Sequence, residues 1–395
     1  MSQALRVMQV VGRMMGGGVE ATVMNHYRHI DRSRIQFDFV VQSDSIAVPG
    51  EEIKKMGGRI ITVPSYNDPL LYMRACRSVF AQYKPLIVHS HMNAISVFTL
   101  RAAKQAKIPI RIAHSHSTAN SNEKAKTAVK NLLRPFSRIY PNYLAACGMY
   151  SARWLFGDKI VDTGKVKIIR NAIELDQFQY DSSSRKRLRA EIGAKSDTLV
   201  VGQVGRFCEQ KNQSFSMDIW AELLKEQPNS ILVMLGIGDD MHKIKEHARR
   251  LGIDRTIRFM GMRRDANKWY SAFDVLLFPS LYEGLPLTAI EAQAAALPIV
   301  ASDQITKEAF LIPSLCDIRK LSIDPASWAR SLVEVAKKDF ITQRSEINTF
   351  KPLASAGYDI SQSARNLADW YEQLTAEIKS ETAAWTSSAS EVNSK

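Results

Sequence analysis

From residue 5 onward, short apolar runs rich in branched side chains alternate with longer stretches that place apolar residues three and four apart. The first series of runs is Leu5–Val11, Phe37–Val41, Arg59–Val63, Leu86–His89, Ile110–Ala113, Tyr143–Ala146 and Val166–Ile169. A second series follows: Leu199–Val204, Ile231–Leu235, Thr256–Phe259, Val275–Phe278 and Ile299–Ala301. Short β-type runs separated by amphipathic stretches predict parallel sheets with crossover helices, an α/β class. Between the series lies a charged stretch, Asp181 to Lys195, holding Arg185, Lys186, Arg187 and Arg189. The pattern predicts two doubly wound, Rossmann-like domains joined near residue 180, with domain spans of 1–178 and 179–359. Ala364, Leu367, Trp370, Tyr371 and Leu374 share one helical face, so Ile360–Ile378 is predicted as an amphipathic helix. The Ser/Ala/Thr-rich residues 381–395 are expected to be frayed or disordered.

Composition changes this picture little. At 395 residues, 45% hydrophobic and 24% charged, the chain is long enough for two cores, and disorder of the whole is excluded. Cys76, Cys147, Cys208 and Cys316 are scattered and suggest neither a disulfide framework nor a zinc site. No apolar run approaches the 18 to 20 residues, roughly, that a membrane span needs, and a cytoplasmic protein is expected. Charge adds more. The formal net charge is +13, and Arg101 to Tyr140 carries nine Lys or Arg against the single acid Glu123. No nucleic-acid module accompanies the excess, so the partner it suggests is an anionic membrane surface rather than nucleic acid.

Candidate chemistry gathers where strands end. Asp274-Val-Leu-Leu-Phe-Pro-Ser-Leu-Tyr-Glu283-Gly-Leu-Pro-Leu-Thr-Ala-Ile-Glu291-Ala reads as strand, turn and helix, and ligands of open α/β sheets collect at that edge. Pro286 suits the first helical turn, which leaves the amides of Leu287 and Thr288 for a phosphate. Glu283 and Glu291, eight positions apart, can accept from paired sugar hydroxyls. In Val201-Gly-Gln-Val-Gly-Arg206-Phe-Cys-Glu-Gln-Lys211-Asn, a cationic pair follows a buried-type strand and can converge on a diphosphate. After the first strand, Gly16, Gly17 and Gly18 remove every Cβ and let backbone approach a ligand. Their spacing is not the dinucleotide fingerprint, which disfavours a nicotinamide dehydrogenase. His89 and His91, and His114 and His116, sit at strand ends. With no Asp, Glu or Cys to complete a metal set, they read as hydrogen-bonding groups rather than ligands.

Together these residues resemble the family 4 retaining glycosyltransferases, whose GT-B architecture has two facing Rossmann-like domains and a cleft between them. The matching pieces, in order, are Gly16-Gly-Gly-Val-Glu20, the paired-His strand ends, Ile168-Ile-Arg-Asn171-Ala-Ile, Gly205-Arg206 with Lys211, Leu235-Gly-Ile-Gly238, Ile257-Arg-Phe-Met-Gly261 and Pro279-Ser-Leu-Tyr-Glu283-Gly-Leu-Pro through Glu291. The resemblance implies that Arg206 and Lys211 neutralise the donor diphosphate, that Glu291 binds the ribose, and that Glu283 sits beside the transferred sugar. It also implies that Gly17 and Gly18 cover the diphosphate from the other domain, that Ile257–Gly261 lines the base, and that His116, or alternatively His114, lies near the reacting sugar. The helix Ile360–Ile378 resembles the family's element that returns to the first domain. Two positions depart from the family pattern: Ala172 follows Asn171 where glycine is usual, and Ala296-Leu-Pro replaces a glycine turn.

The implied reaction moves a hexose or N-acetylhexosamine from a nucleotide diphosphate sugar, expected to be UDP-linked, to a glycan on a lipid carrier, as in capsule or exopolysaccharide assembly. Cleavage of the sugar–phosphate bond builds negative charge on the diphosphate, which cations and helix amides stabilise. Neither a metal nor another cofactor is then expected. The alternatives are a nucleotide-sugar epimerase of related fold and a non-catalytic sugar-nucleotide-binding module.

Overall fold

The computed structural model describes residues 4–116, 131–337 and 343–392, with side chains given as far as residue 380. Its chain divides into two compact units, Met1–Ala172 with Ile360–Lys395, and Ile173–Asp359. The division falls a few residues before 178 because Ile173 already bridges to Asp359 within the second unit.

Among the described residues the first unit has seven parallel strands: β1 (Leu5–Gly12), β2 (Ile35–Gln42), β3 (Arg59–Val63), β4 (Ile87–Ser90), β5 (Ile110–Ser115), β6 (Tyr143–Ala146) and β7 (Val166–Ile168), in the order β3-β2-β1-β4-β5-β6-β7. Neighbouring residues of a strand face opposite layers. Val7, Phe37, Phe39, Ile87 and Ile112 therefore pack with the helices Gly18–His29 and Ile360–Val392, while Met8, Val40, Val88 and Ala113 pack with Tyr72, Phe80 and Leu100. Burial on both faces is why these strands read as near-continuous apolar runs.

Among its described residues the second unit has six parallel strands: β8 (Leu199–Val204), β9 (Ser230–Leu235), β10 (Ile257–Gly261), β11 (Val275–Phe278), β12 (Ile299–Ser302) and β13 (Cys316–Arg319), in the order β10-β9-β8-β11-β12-β13. The edge strand β13 escapes sequence reading because its Cys-Asp-Ile-Arg is only partly buried and forms no apolar run. In both sheets the order reverses next to the first strand, between β1 and β4 and between β8 and β11. Such reversals open a crevice at the carboxyl ends of the strands.

One expectation changes, and the charged stretch between the two series gains a structure. Within Asp181–Lys195, Asp181 caps a helix, Ser182–Glu191, by accepting from the amides of Ser183 and Ser184. Arg185 and Arg189 of that helix reach Asp274, just before β11, at 2.5 and 3.0 Å, and Asp274 also accepts from Val200 N at 2.8 Å. These partners offset the hydration that a buried carboxylate loses. The C-terminal helix does not stop near 380 but continues to Val392, since Glu381–Val392 contains neither the Gly nor the Pro that would end it.

Candidate active site

The second unit's site is built on two loops that cross at backbone distance. Gly205 N donates to Leu235 O at 2.9 Å and Phe207 N to Ile237 O at 3.0 Å. A Cβ on Gly236 would stand 2.1 Å from Gly205 O, and one on Gly238 would stand 2.2 Å from Phe207 O. Only glycine permits that crossing, which explains the Gly-x-Gly after β9. The loop after β8 is thereby carried to the end of β11. There Lys211 Nζ donates to Glu283 Oε1 at 2.5 Å, and Gln210 Nε2 donates to Glu283 Oε2 and Tyr282 O, each at 3.1 Å. Leu281 N returns a bond to Gln210 O at 2.9 Å. Glu283 is buried, and Lys211 lies with its ammonium 5.2 Å from the Phe278 ring centre. Arg206 differs: it is exposed, and its guanidinium makes no hydrogen bond or ion pair among the described residues.

The helix Leu287–Ala294 starts immediately beyond. Pro286 is its N-cap rather than a residue of the first turn, its backbone being extended at ψ 124°, and no side chain caps the helix. Leu287 and Thr288 therefore open the helix with amides that have no partner among the described residues. One turn on, the Tyr270 hydroxyl donates to Glu291 Oε2. Burial raises the Glu291 carboxyl above its ordinary range, against opposing help from Tyr270 and from the Lys211 charge, although part of the residue remains exposed. The helix ends on Ala296 at φ +50°, with Leu297 N bonded to Ala292 O at 2.9 Å. This is the left-handed position that the family pattern fills with glycine; the departure leaves the connection in place at the expense of local strain.

In the first unit, Gly12 and Gly16 adopt φ +84° and +76°, and Gly17 caps the helix Gly18–His29. Glu20 holds the loop by accepting from Met15 N at 2.9 Å. A Cβ on Gly17 would meet that carboxylate at 2.8 Å, while Gly18 faces open space. Next to this loop, β4 and β5 bring the four strand-end histidines into one buried stack, with His114 and His116 ring centres 3.9 Å apart and His89 and His91 4.3 Å apart. His89 Nε2 lies 3.0 Å from His114 Nδ1, and His91 Nδ1 lies 2.8 Å from His116 Nε2. Gln9 of β1 and Tyr371 of the C-terminal helix complete the set. Burial disfavours the charged ring, lowering His116 to about 3 and the other three well below the ordinary value.

His89, His91 and His114 hold ring nitrogens within 4.8 Å of one another, a spacing that suits a metal ion. Their lone pairs are nonetheless engaged. A neutral imidazole has one acceptor nitrogen, and the mutual bonds consume it in all but one ring, so metal binding would break the network.

The structure thus brings Lys211 against Glu283, places Glu291 under Tyr270, leaves Arg206 exposed, and buries His114 and His116 together at a strand end. Gln210, Tyr270, Gln9 and Tyr371 carry no motif signal; each is defined only by what it touches.

The second unit matches the family model described as glycosyl transferases group 1 over residues 198–337, and the first matches glycosyltransferase family 4 over residues 16–177. The protein is a glycosyltransferase with the two Rossmann-like domains of the GT-B class. It belongs to the family 4, group 1 glycosyltransferases: EpsF of Bacillus subtilis (strain 168), named as a glycosyltransferase, is 32% identical over 387 residues, 95% of this chain and 98% of EpsF. The UDP-Gal:alpha-D-GlcNAc-diphosphoundecaprenol alpha-1,3-galactosyltransferase of Escherichia coli is 25% identical over 62% of this chain and 66% of its own length. Among solved structures, Anabaena HepE in complex with UDP superposes with a TM-score of 0.74 at 16% identity, covering 93% of this chain and all of HepE, a likeness of fold.

Proposed function

We propose that the protein transfers a hexose or N-acetylhexosamine from a UDP-sugar, with retention at the anomeric carbon, to a lipid-linked glycan in polysaccharide assembly. The observation that carries the donor half is the cation pair at the β8–β11 reversal. Lys211 is held by Glu283, Arg206 is exposed and unpaired among the described residues, and the free amides of Leu287 and Thr288 open the adjoining helix. That is a site for a diphosphate whose charge grows as the sugar leaves. The C1–O bond to the phosphate breaks, the acceptor hydroxyl oxygen bonds to C1 on the same face, and its proton passes to the departing phosphate oxygen. In this reading Arg206 and Lys211 neutralise the leaving group without a metal, Glu291 takes the ribose hydroxyls, and Glu283 stands by the sugar. We assign Gly17 and Gly18 to the diphosphate and His116 to the sugar side.

The acceptor half rests on the galactosyltransferase relative, whose name carries both a UDP-sugar and a diphospholipid, and on the surface after β5. Leu132, Phe136 and Ile139 are 70%, 43% and 52% exposed, with Arg138 exposed among them. Basic residues interleaved with exposed apolar ones suit an anionic lipid surface. Lys124, Lys126 and Lys130 of the same basic stretch lie outside the described residues. Among the described residues no helix is long and apolar enough to cross a membrane.

Two measurements test the reading. A thermal-shift panel of nucleotide sugars is expected to show stabilisation by one UDP-sugar and abolition of that shift in Arg206→Ala. With that donor and a lipid-linked acceptor, Glu283→Gln is expected to lose transfer; full activity in Glu283→Gln would sink the assignment.

A further inference from the structure

The two oxygens of the Glu291 carboxylate have different surroundings. Oε2 accepts from the Tyr270 hydroxyl, whereas Oε1 makes no hydrogen bond among the described residues and remains accessible. Tyr270 comes from another element, the helix Ala266–Ala272, and its ring is fully buried, edge-on to Phe178 and Phe273 with centres 5.8 and 6.2 Å away. Thr288, one turn before Glu291, is the phenol's other hydrogen-bond partner and acts on it as a donor, which leaves the phenol proton for the carboxylate.

The separation of the two helices is held as well. Buried Arg344 donates from Nη1 to Phe273 O at 2.8 Å, and from Nη2 to Tyr270 O and Ala295 O at 2.8 and 2.7 Å. One guanidinium thus bonds carbonyls at the carboxyl ends of both helices, where a cation is favoured, and drawing the phenol away from Glu291 would strain that tie. A glutamate side chain is otherwise free to turn, and ordering it on a ligand costs rotamer entropy. A fixed phenol on one oxygen removes much of that cost before the ligand arrives. Oε2 still keeps a second lone pair.

We propose that Tyr270 is a positioning residue for donor recognition, holding Glu291 so that Oε1 and the second lone pair of Oε2 are presented to a vicinal diol of the nucleotide. This rests on the assignment of Glu291 to the ribose hydroxyls. Two groups outside its own helix act on the Glu291 carboxyl: Tyr270, and Lys211 from the loop after β8, each favouring the ionised form against burial. Loss of the phenol donor therefore raises the pH at which Glu291 takes up a proton.

Calorimetric titration of the full-length protein with UDP and with 2′,3′-dideoxy-UDP separates this role from a structural one, since only UDP carries the diol. The wild type is expected to bind UDP about 10- to 100-fold more tightly, the worth of hydrogen bonds to a charged group. Tyr270→Phe keeps the ring among Phe178 and Phe273 and is expected to cut that preference about tenfold, with the Kd for the dideoxy ligand within about twofold of the wild type. On acidification its remaining preference is expected to fade at a higher pH than that of the wild type. Thr288→Val removes the hydroxyl behind the phenol, is expected to cut the preference about threefold, and carries the test should Tyr270→Phe fail to fold. An undiminished preference in the folded variants, or an equal weakening of both ligands, would overturn the proposal. Equal binding of the two ligands by the wild type itself would instead remove the assignment of Glu291 to the ribose, and the proposal with it.

Discussion

The two units treat polar groups at their sheet reversals in opposite ways. In the first, the strand ends converge on imidazoles kept neutral by burial and tied to one another; in the second, they converge on ions, with Lys211 against Glu283 and Arg185 and Arg189 around Asp274. Buried neutral groups can orient hydroxyls but contribute little field, whereas preorganised cations stabilise charge that develops during bond cleavage. In the proposed reaction, neutral groups of the first kind suit the orienting of hydroxyls, and ions of the second kind suit the charge that grows on the diphosphate.

Acid should separate the units most sharply. His116 and His26 hold native values of about 3 and about 4, and His89, His91 and His114 are also lowered. Because the unfolded chain takes up protons below about 6.5 while these rings do not, stability present at neutral pH is lost as pH falls. By pH 5 protonation of the unfolded chain costs the fold about 2 kcal/mol for each of His116 and His26, and His89, His91 and His114 act in the same direction, against a domain stability of about 5–15 kcal/mol. Hydrogen-exchange mass spectrometry is expected to show the first unit opening between about pH 6 and 5 while β8–β12 stay protected; simultaneous opening would contradict the contrast.

Breaking the ionic side comes next. Asp274→Ala should destabilise the second unit by about 3–5 kcal/mol, because two arginines, one of them buried, lose their partner; denaturant titration checks this. Lys211→Ala is expected to lower kcat/KM by about 10²- to 10³-fold, as measured in a transfer assay. Arg206→Ala should leave the melting temperature unchanged, since the side chain touches no described partner, yet weaken donor binding by about 10- to 100-fold, the worth of a charge-assisted contact. The smallest effect is a gain: Ala296→Gly should relieve about 1 kcal/mol of left-handed strain and raise the melting temperature slightly.

Much of the fold was legible because local rules act over a few residues. Runs such as Phe37–Val41 and Val275–Phe278 are buried on both faces and announce themselves, and the amphipathic stripe of Ala364, Leu367, Tyr371 and Leu374 does the same for the last helix. The partly buried β13 gave no such signal. In Asp181–Lys195 charge marked only the boundary between the two series, because nothing in that stretch reveals that Asp274 waits 85 residues beyond Arg189. Motif spacing marked Lys211, Glu283, Glu291 and the histidines as candidates but not their partners.

The amino-acid order by itself determined the parallel α/β class, the glycines that let loops cross, and the family to which the chain belongs, since each is encoded in neighbouring positions. Tertiary structure alone decided that Lys211 binds Glu283 rather than solvent, that Tyr270 covers Glu291, and that Gln9 and Tyr371, 362 residues apart, bond to each other and to the same histidine cluster. Those relations require β1, β4 and β5 to lie side by side with a returning helix above them, and the energies that select them exist only once water has been excluded from the space they share.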